Sequence, residues 1–455
     1  MIQIDPKRKL FHKQASRFNP YRFVIILALL IGAIYVLLGY QRGEIKELLL
    51  ATGTPTRVAN SYALEGDAQF TAGNLPKSIA AYKQAVELDP NNARLLAELA
   101  RIQVYNSNLS TTLDDRRQRL EEAKDNIDRA VGIAPDDSLV QAIRALVYDW
   151  NANPDISGEE SGNNLTQAEQ SAIRALQLDS QNALALAYYA EILVDQQKWL
   201  QAEQNIELAL VRDDTLMDVH RVSGYVQESL SNYEAAIQEY LKAAAITPNF
   251  TPLYIQIGTN YRTLGLRATD DLRQTEMYNK ALEYYAKAVT INKQIGVQDP
   301  LPYLSISKTY SQMGDFFVAA LNVRKALDML PAEADIYGQL GVVYFKARNY
   351  ESAIPALKCA VYGCDAVTSC EVRRCNAETD APIEITGLPL SSYTLIYYYT
   401  YGSVLAGMHR PGNNYCAEAV KVLAEVRKSY GSDGTINAII SPSEEICKSA
   451  GLVSP

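Results

Sequence analysis

No cysteine occurs before Cys359 in this 455-residue chain; all six fall in its last hundred residues. Histidine is almost as scarce. The three copies, His12, His220 and His409, stand beside no serine or cysteine arranged as a nucleophile, so a His-based triad has no members. There is no Gly-rich phosphate loop, no HExxH, no G-x-S-x-G and no CxxC. Carboxylates are plentiful but fall on helix faces, where solvation is their default role. The sequence therefore gives no sign of an enzyme and calls for no cofactor. Cations are scarce beyond the first 42 residues. That segment holds seven Lys/Arg against Asp5 alone, so the chain's net −9 leaves −15 for residues 43–455. A body that acidic has little cation density with which to displace phosphate counterions, and no nucleic-acid partner is expected.

What is present begins with an 18-residue run without a charge, Phe23 to Tyr40. At helical rise it spans roughly 27 Å, close to the hydrocarbon thickness of a bilayer. It is apolar all round, unlike a core helix, and no A-x-A-like cleavage pattern follows it. Residues 23–40 are expected to be an uncleaved transmembrane anchor. Six cations precede the run and three (Arg42, Lys46, Arg57) follow within residues 41–60. That bias puts the N-terminus in the cytoplasm and the body outside a cytoplasmic membrane crossed once. The expected organisation is a basic cytoplasmic tail (1–22), the anchor (23–40), a juxtamembrane linker (41–58), a repeat body (59–363) and a Cys-rich C-terminal segment (364–455).

The body repeats. Helix ends recur at Leu88-Asp89-Pro90, Ile133-Ala134-Pro135, Leu178-Asp179-Ser180, Arg212-Asp213-Asp214, Ile246-Thr247-Pro248, Ile291-Asn292-Lys293 and Met329-Leu330-Pro331. The gaps are 45, 45, 34, 34, 45 and 38, so a 34-residue period runs through with three 11-residue insertions. Within a unit a small residue, an aromatic, Gly, and then aromatics alternating with Ala keep register. Tyr337, Leu340, Gly341, Tyr344, Tyr350, Ala353, Leu357 and Ala360 form one such set. Tyr303, Ile306, Tyr310, Gly314, Phe316, Ala319 and Ala326 form another, with echoes at Gly66, Gly73, Tyr82 and Ala85 and at Gly224, Tyr233, Ala236, Tyr240 and Ala243.

On these residues the chain resembles the tetratricopeptide-repeat (TPR) family over roughly 59–363, with a weaker echo to about 430. The resemblance implies an all-α fold: a right-handed α-solenoid of about eight helix-turn-helix units, then a degenerate unit and a capping helix. It also implies a non-enzymatic scaffold for protein or peptide partners. Small residues let paired helices approach, aromatics fill between them, and each hairpin buries one face by stacking on its neighbour. The insertions are expected as loops at 106–112 and 151–164 and a partly helical extension at 267–277, all on one edge of the solenoid. Arg94, Arg101, Tyr105, Trp150, Arg221, Tyr225, Arg262 and Lys308 are expected to line the concave groove, suggesting an acidic or C-terminal peptide. The carboxylate clamp of chaperone-binding family members is missing: the first unit has Ala63 and Asp67 at the matching places.

The four tyrosines Tyr397, Tyr398, Tyr399 and Tyr401 cannot share one helix face, so some are expected to look outward. The cysteines Cys359, Cys364, Cys370, Cys375, Cys416 and Cys447 are even in number and confined to the side expected to be oxidising, which reads as three disulfides. Zinc is the rival, but no His is close and the pairs are widely spaced. Six cysteines allow fifteen connectivities, of which only a Cys416–Cys447 pair is favoured. Two other layouts stay open. One is a subunit of a cell-surface assembly, self-associating by end-to-end stacking. The other is a cytosol-facing receptor, similar to mitochondrial outer-membrane import receptors.

Overall fold

The computed structural model describes residues 19–42, 57–376, 378–410 and 412–451. Most of the basic tail and of the juxtamembrane linker lies outside the described residues. Pro20–Gln41 is one helix, exposed over residues 20–38, with a mean hydropathy of 2.5 over Pro20–Gly39. It is long and apolar enough to cross a membrane. It forms a unit separate from the body, which starts at Val58.

The body is a run of antiparallel helix pairs: Ala59–Thr71 with Leu75–Leu88, Ala93–Ser107 with Leu113–Ile133, Ser138–Trp150 with Ser161–Leu178, and Ala183–Asp195 with Trp199–Arg212. Met217–Ser229 with Tyr233–Ile246, Thr251–Arg267 with Asp271–Ile295, Leu301–Met313 with Phe316–Met329, and Ala334–Lys346 with Tyr350–Val361 continue it. Their starts are written in side chains. Asn74, Asn92, Thr112, Asp137, Asn182, Asp270, Asp315 and Asn349 each accept a hydrogen bond from a first-turn backbone N–H. Within a pair, glycine sets the spacing. A Cβ on Gly224 would lie 2.7 Å from the Tyr240 ring, and one on Gly341 2.5 Å from Leu357 Cγ. These are the positions that carried the repeat pattern, and the solenoid is as expected.

Of the insertions, 267–277 is partly helical as expected and 108–112 is a loop, but the second differs. Residues 151–164 are mostly helical, with a short turn Pro154–Ser157, a 3-10 turn Gly158–Glu160 and the start of helix Ser161–Leu178. Asn153 and Ser161 of this stretch line the concave side, while Asn164 is buried and donates to Asn151 O at 3.1 Å. Two of the three insertions also touch the same chain further on. Thr111 Oγ1 donates to Glu333 (3.2 Å) and Ser392 Oγ to Asp155 (3.4 Å).

The body winds back on itself. The Phe70 ring of the first pair lies 5.8 Å from that of Phe250, tilted against it, and Asn74 Nδ2 donates to Ile295 O at 3.2 Å, across 221 residues. Gly73 sits on this seam at φ +76°, and a Cβ there would lie 2.0 Å from Asn249 O. A backbone oxygen cannot rotate away. Gly73→Ala is expected to cost about 1–3 kcal/mol through the left-handed backbone alone, with the seam clash added. Hydrogen exchange checks this: helices Ala59–Thr71 and Leu75–Leu88 should lose protection first.

After Val361 the pattern breaks. Gly363–Cys364 pairs antiparallel with Ile385–Thr386 around a short helix, Ala366–Arg373. A further pair, Leu395–Met408 with Cys416–Tyr430, and a closing helix, Gly434–Ser449, follow. The tyrosine cluster is more buried than expected. Tyr397, Tyr398 and Tyr401 are buried, donating to Asp335, Leu388 O and Glu418, and only Tyr399 is half-buried. They reach three different neighbours, the helix Ala334–Lys346, the loop and the helix Cys416–Tyr430, so no single face has to hold them.

Candidate functional site: the concave cavity

The N-terminal helices of successive pairs line the inner face of the superhelix, and the seam at Phe250 closes it from one side. The result is a cavity of about 650 Å³, walled by Tyr105, Trp150, Tyr225, Tyr240 and Phe250 among apolar groups and by Asp149, Glu191, Asp195, Arg221 and Arg116 among charged ones. Ring packing fixes the floor: Tyr105 lies 5.6 Å from Phe250 and 6.0 Å from Trp150, edge to face in both cases.

Below the floor is a buried ion network. Asp218 accepts from Arg101 Nη1 (3.1 Å), from Tyr188 Oη (2.7 Å) and from Tyr105 Oη. Burial alone would raise the Asp218 carboxyl, but Arg101, Arg221 and the two tyrosine hydroxyls outweigh it and hold it below the usual carboxylate range. Arg101 also donates to Glu98 at 2.8 Å. Arg221 grips Glu191 with both terminal nitrogens, at 2.9 and 2.6 Å, while Trp150 Nε1 donates to the same carboxylate at 3.2 Å.

Two carboxyls on the wall have no such cation. Asp149 is buried and makes no side-chain hydrogen bond; burial first, then Asp195 and Glu191, push it well above the carboxylate range against the pull of Arg221. Asp195 is open to the solvent of the groove yet enclosed by protein on most sides. That enclosure, with Glu191, pushes it up to about 6, although Tyr225 Oη donates to it at 2.7 Å.

Of the eight residues expected in the groove, Tyr105, Trp150, Arg221 and Tyr225 come together on this cavity, and Arg101 lies just beneath it. Arg94 does not: it is exposed and pairs with Asp137 at 2.9 Å. Arg262 and Lys308 lie on later pairs. Burial, Arg262 and Lys346 lower the Lys308 ammonium, although much of its surface is open to solvent. Arg101 and Arg221 are engaged in internal ion pairs, so these two are not free to take an acidic peptide. The acidic wall was missed, and a signal for it existed. Glu191 and Asp195 stand as far beyond the N-cap Asn182 as Arg101 and Tyr105 stand beyond Asn92. Among the described residues no cluster of His, Cys, Asp and Glu is placed to hold a metal. All six cysteines pair: Cys359–Cys364, Cys370–Cys375 and Cys416–Cys447.

Helix pairs that stack on their neighbours around a concave inner face make this an α-solenoid. Residues 66–104 match a TPR repeat, and residues 222–250 and 304–365 match tetratricopeptide repeats. No curated protein matches the chain. Among solved structures, a human IFIT1 dimer with m7Gppp-AAAA is 14% identical, covering 85% of this chain and 90% of its own with a TM-score of 0.53. The human IFIT1 dimer with PPP-AAAA is 15% identical, covering 88% and 92% with a TM-score of 0.51. A thermophilic TPR protein of Thermus thermophilus is 16% identical, covering 45% and 98% with a TM-score of 0.36. At these identities the likeness is one of fold.

Proposed function

We propose that the chain is a non-enzymatic scaffold, anchored in the cytoplasmic membrane by residues 20–41, whose repeat body lies outside and holds protein partners in its concave cavity. The cavity carries this reading: an aromatic-walled space of about 650 Å³ on the inner face of a repeat solenoid, with charged groups held ready by neighbouring helices. The anchor is supported by the exposed apolar helix and by the excess of cations before it. Three disulfides and no free thiol suit an oxidising compartment. The acidic wall and the net −15 of residues 43–455 disfavour RNA in this cavity, although the IFIT1 structures of the same fold hold capped or triphosphate oligonucleotides. A photo-cross-linking residue at Gln256, on the cavity wall, is compared with one at Leu200, exposed outside it. Discrete protein adducts from position 256, and few from position 200, are expected in membranes. Nucleic-acid adducts, or equal yields from both sites, would contradict the reading.

A further inference from the structure

Three carboxyls (Asp149, Glu191, Asp195) and two arginines (Arg116, Arg221) line the cavity, and of the carboxyls only Glu191 is held by an arginine. Arg221 gives both terminal nitrogens to Glu191 and lies over the rings of Tyr105 and Trp150, while Arg116, the other cation on the wall, has Tyr393 rather than a carboxylate for its electrostatic neighbour; the Nε of each is buried without a partner. Asp149 is 4% exposed, and its Oδ1 is shut away without a partner, while Asp195 beside it holds a single tyrosine bond. A buried carboxyl with no donor is rare in a folded protein and calls for an explanation. The helix Ser138–Trp150 presents Asp149 and Trp150 side by side, and Ala183–Asp195 and Met217–Ser229 bring up Asp195 and Tyr225. Aromatic walls with carboxylates between them form a seat for an organic cation, since ring faces attract positive charge as well as carboxylates do.

We infer that this cavity binds a cationic nitrogen, an ammonium or guanidinium carried on a basic segment of the partner protein, with Asp149 and Asp195 as its counter-charges. The inference rests on the scaffold reading and names the chemistry of its partner. A metal ion fits less well, because among the described residues no third ligand joins these carboxylates. It is the opposite polarity from the acidic peptide that the arginines alone suggest.

The site is pH-sensitive, with a sign fixed by its surroundings. Asp149 and Asp195 are both raised, Asp195 to about 6; Glu191, Arg116, Arg221, Tyr105, Tyr225 and Tyr240 line the same cavity from the adjacent helices. Each carboxyl is neutral below its pKa and attracts a cation only above it. Binding should therefore be strong near pH 8, fade as pH falls through about 6, and release protons as the cation ionises its partners.

The test is calorimetric titration of the full chain in detergent with four probes: Ac-Gly-Lys-Gly-amide, its Arg counterpart, its Nε-acetyl-lysine counterpart and spermidine. The Lys or Arg peptide should bind near pH 8, and more weakly with release of protons near pH 6, and the acetylated peptide should not bind. Asp149→Asn should weaken binding by about tenfold or more and lessen the proton release. The variant should fold, because it removes a charge that has no partner; an unchanged melting profile verifies this, and Asp195→Asn serves as a second variant. Equal binding by the acetylated peptide, or full affinity in both variants, would overturn the inference. Binding of spermidine alone would overturn the peptide source. Protein adducts at position 256 without cation binding would overturn this inference and spare the scaffold. Cation binding without adducts would do the reverse.

Discussion

Asp218→Ala is expected to cost about 3–5 kcal/mol, because it removes the more buried of the two carboxylates that balance Arg101 and the acceptor of two buried hydroxyls. Arg101 would keep only Glu98, and the hydroxyls of Tyr105 and Tyr188 would lose their acceptor at positions that are 1% and 0% exposed. Asp218→Asn keeps an acceptor oxygen and the shape while losing the charge, so its cost should be smaller. The damage should be local in sequence and wide in space, since Asp218 ties helix Met217–Ser229 to Ala93–Ser107 and Ala183–Asp195. Amide exchange in all three helices should accelerate together, with the C-terminal pairs unaffected. Exchange confined to Met217–Ser229 would mean that the network adds nothing beyond the packing of one helix.

The second large effect belongs to the Cys416–Cys447 bridge. Both sulfurs are buried, the Cα atoms are 5.3 Å apart, and the bridge closes 31 residues. Restricting the unfolded chain by a loop of that length is worth about 4 kcal/mol, against about 2 for the five-residue loops of Cys359–Cys364 and Cys370–Cys375. The bridge pins Gly434–Ser449, which closes the solenoid with Ile436, Ile440 and Cys447 inward and is held otherwise by the bidentate pair Arg427–Glu444. Replacing Cys416 and Cys447 by Ala should lower the melting temperature of the C-terminal segment more than replacing Cys370 and Cys375. The opposite order would show that the loop-entropy account fails here.

The hairpin register was readable because it is a local constraint repeated along the chain. Gly224 must face Tyr240 and Gly341 must face Leu357 wherever two helices cross that closely. Helix starts are local too, set by Asn and Asp caps, although it is the helix ends that mark the period. What did not show was anything set by the pitch of the superhelix. Nothing near Gly73 announces that Asn249 will press against it, and nothing near Arg101 names Asp218, 117 residues on. Arg101 and Arg221 were thus placed on the correct face with the wrong availability, as ligand-binding cations instead of partners in internal pairs. The polar stretch 151–164 reads as loop because half of it is exposed and the buried Asn151 and Asn164 contribute no apolar period. The Cys416–Cys447 pairing could be favoured because the two helices are consecutive; the two short bridges could not be chosen among the alternatives.

Sidedness tests the proposed role most directly. Protease added to intact spheroplasts should digest the repeat body and leave only a small membrane-bound fragment carrying residues 20–41, while a cytoplasmic marker stays whole. A body protected until the membrane is breached would place the cavity and its disulfides on the reducing side, and would contradict the account.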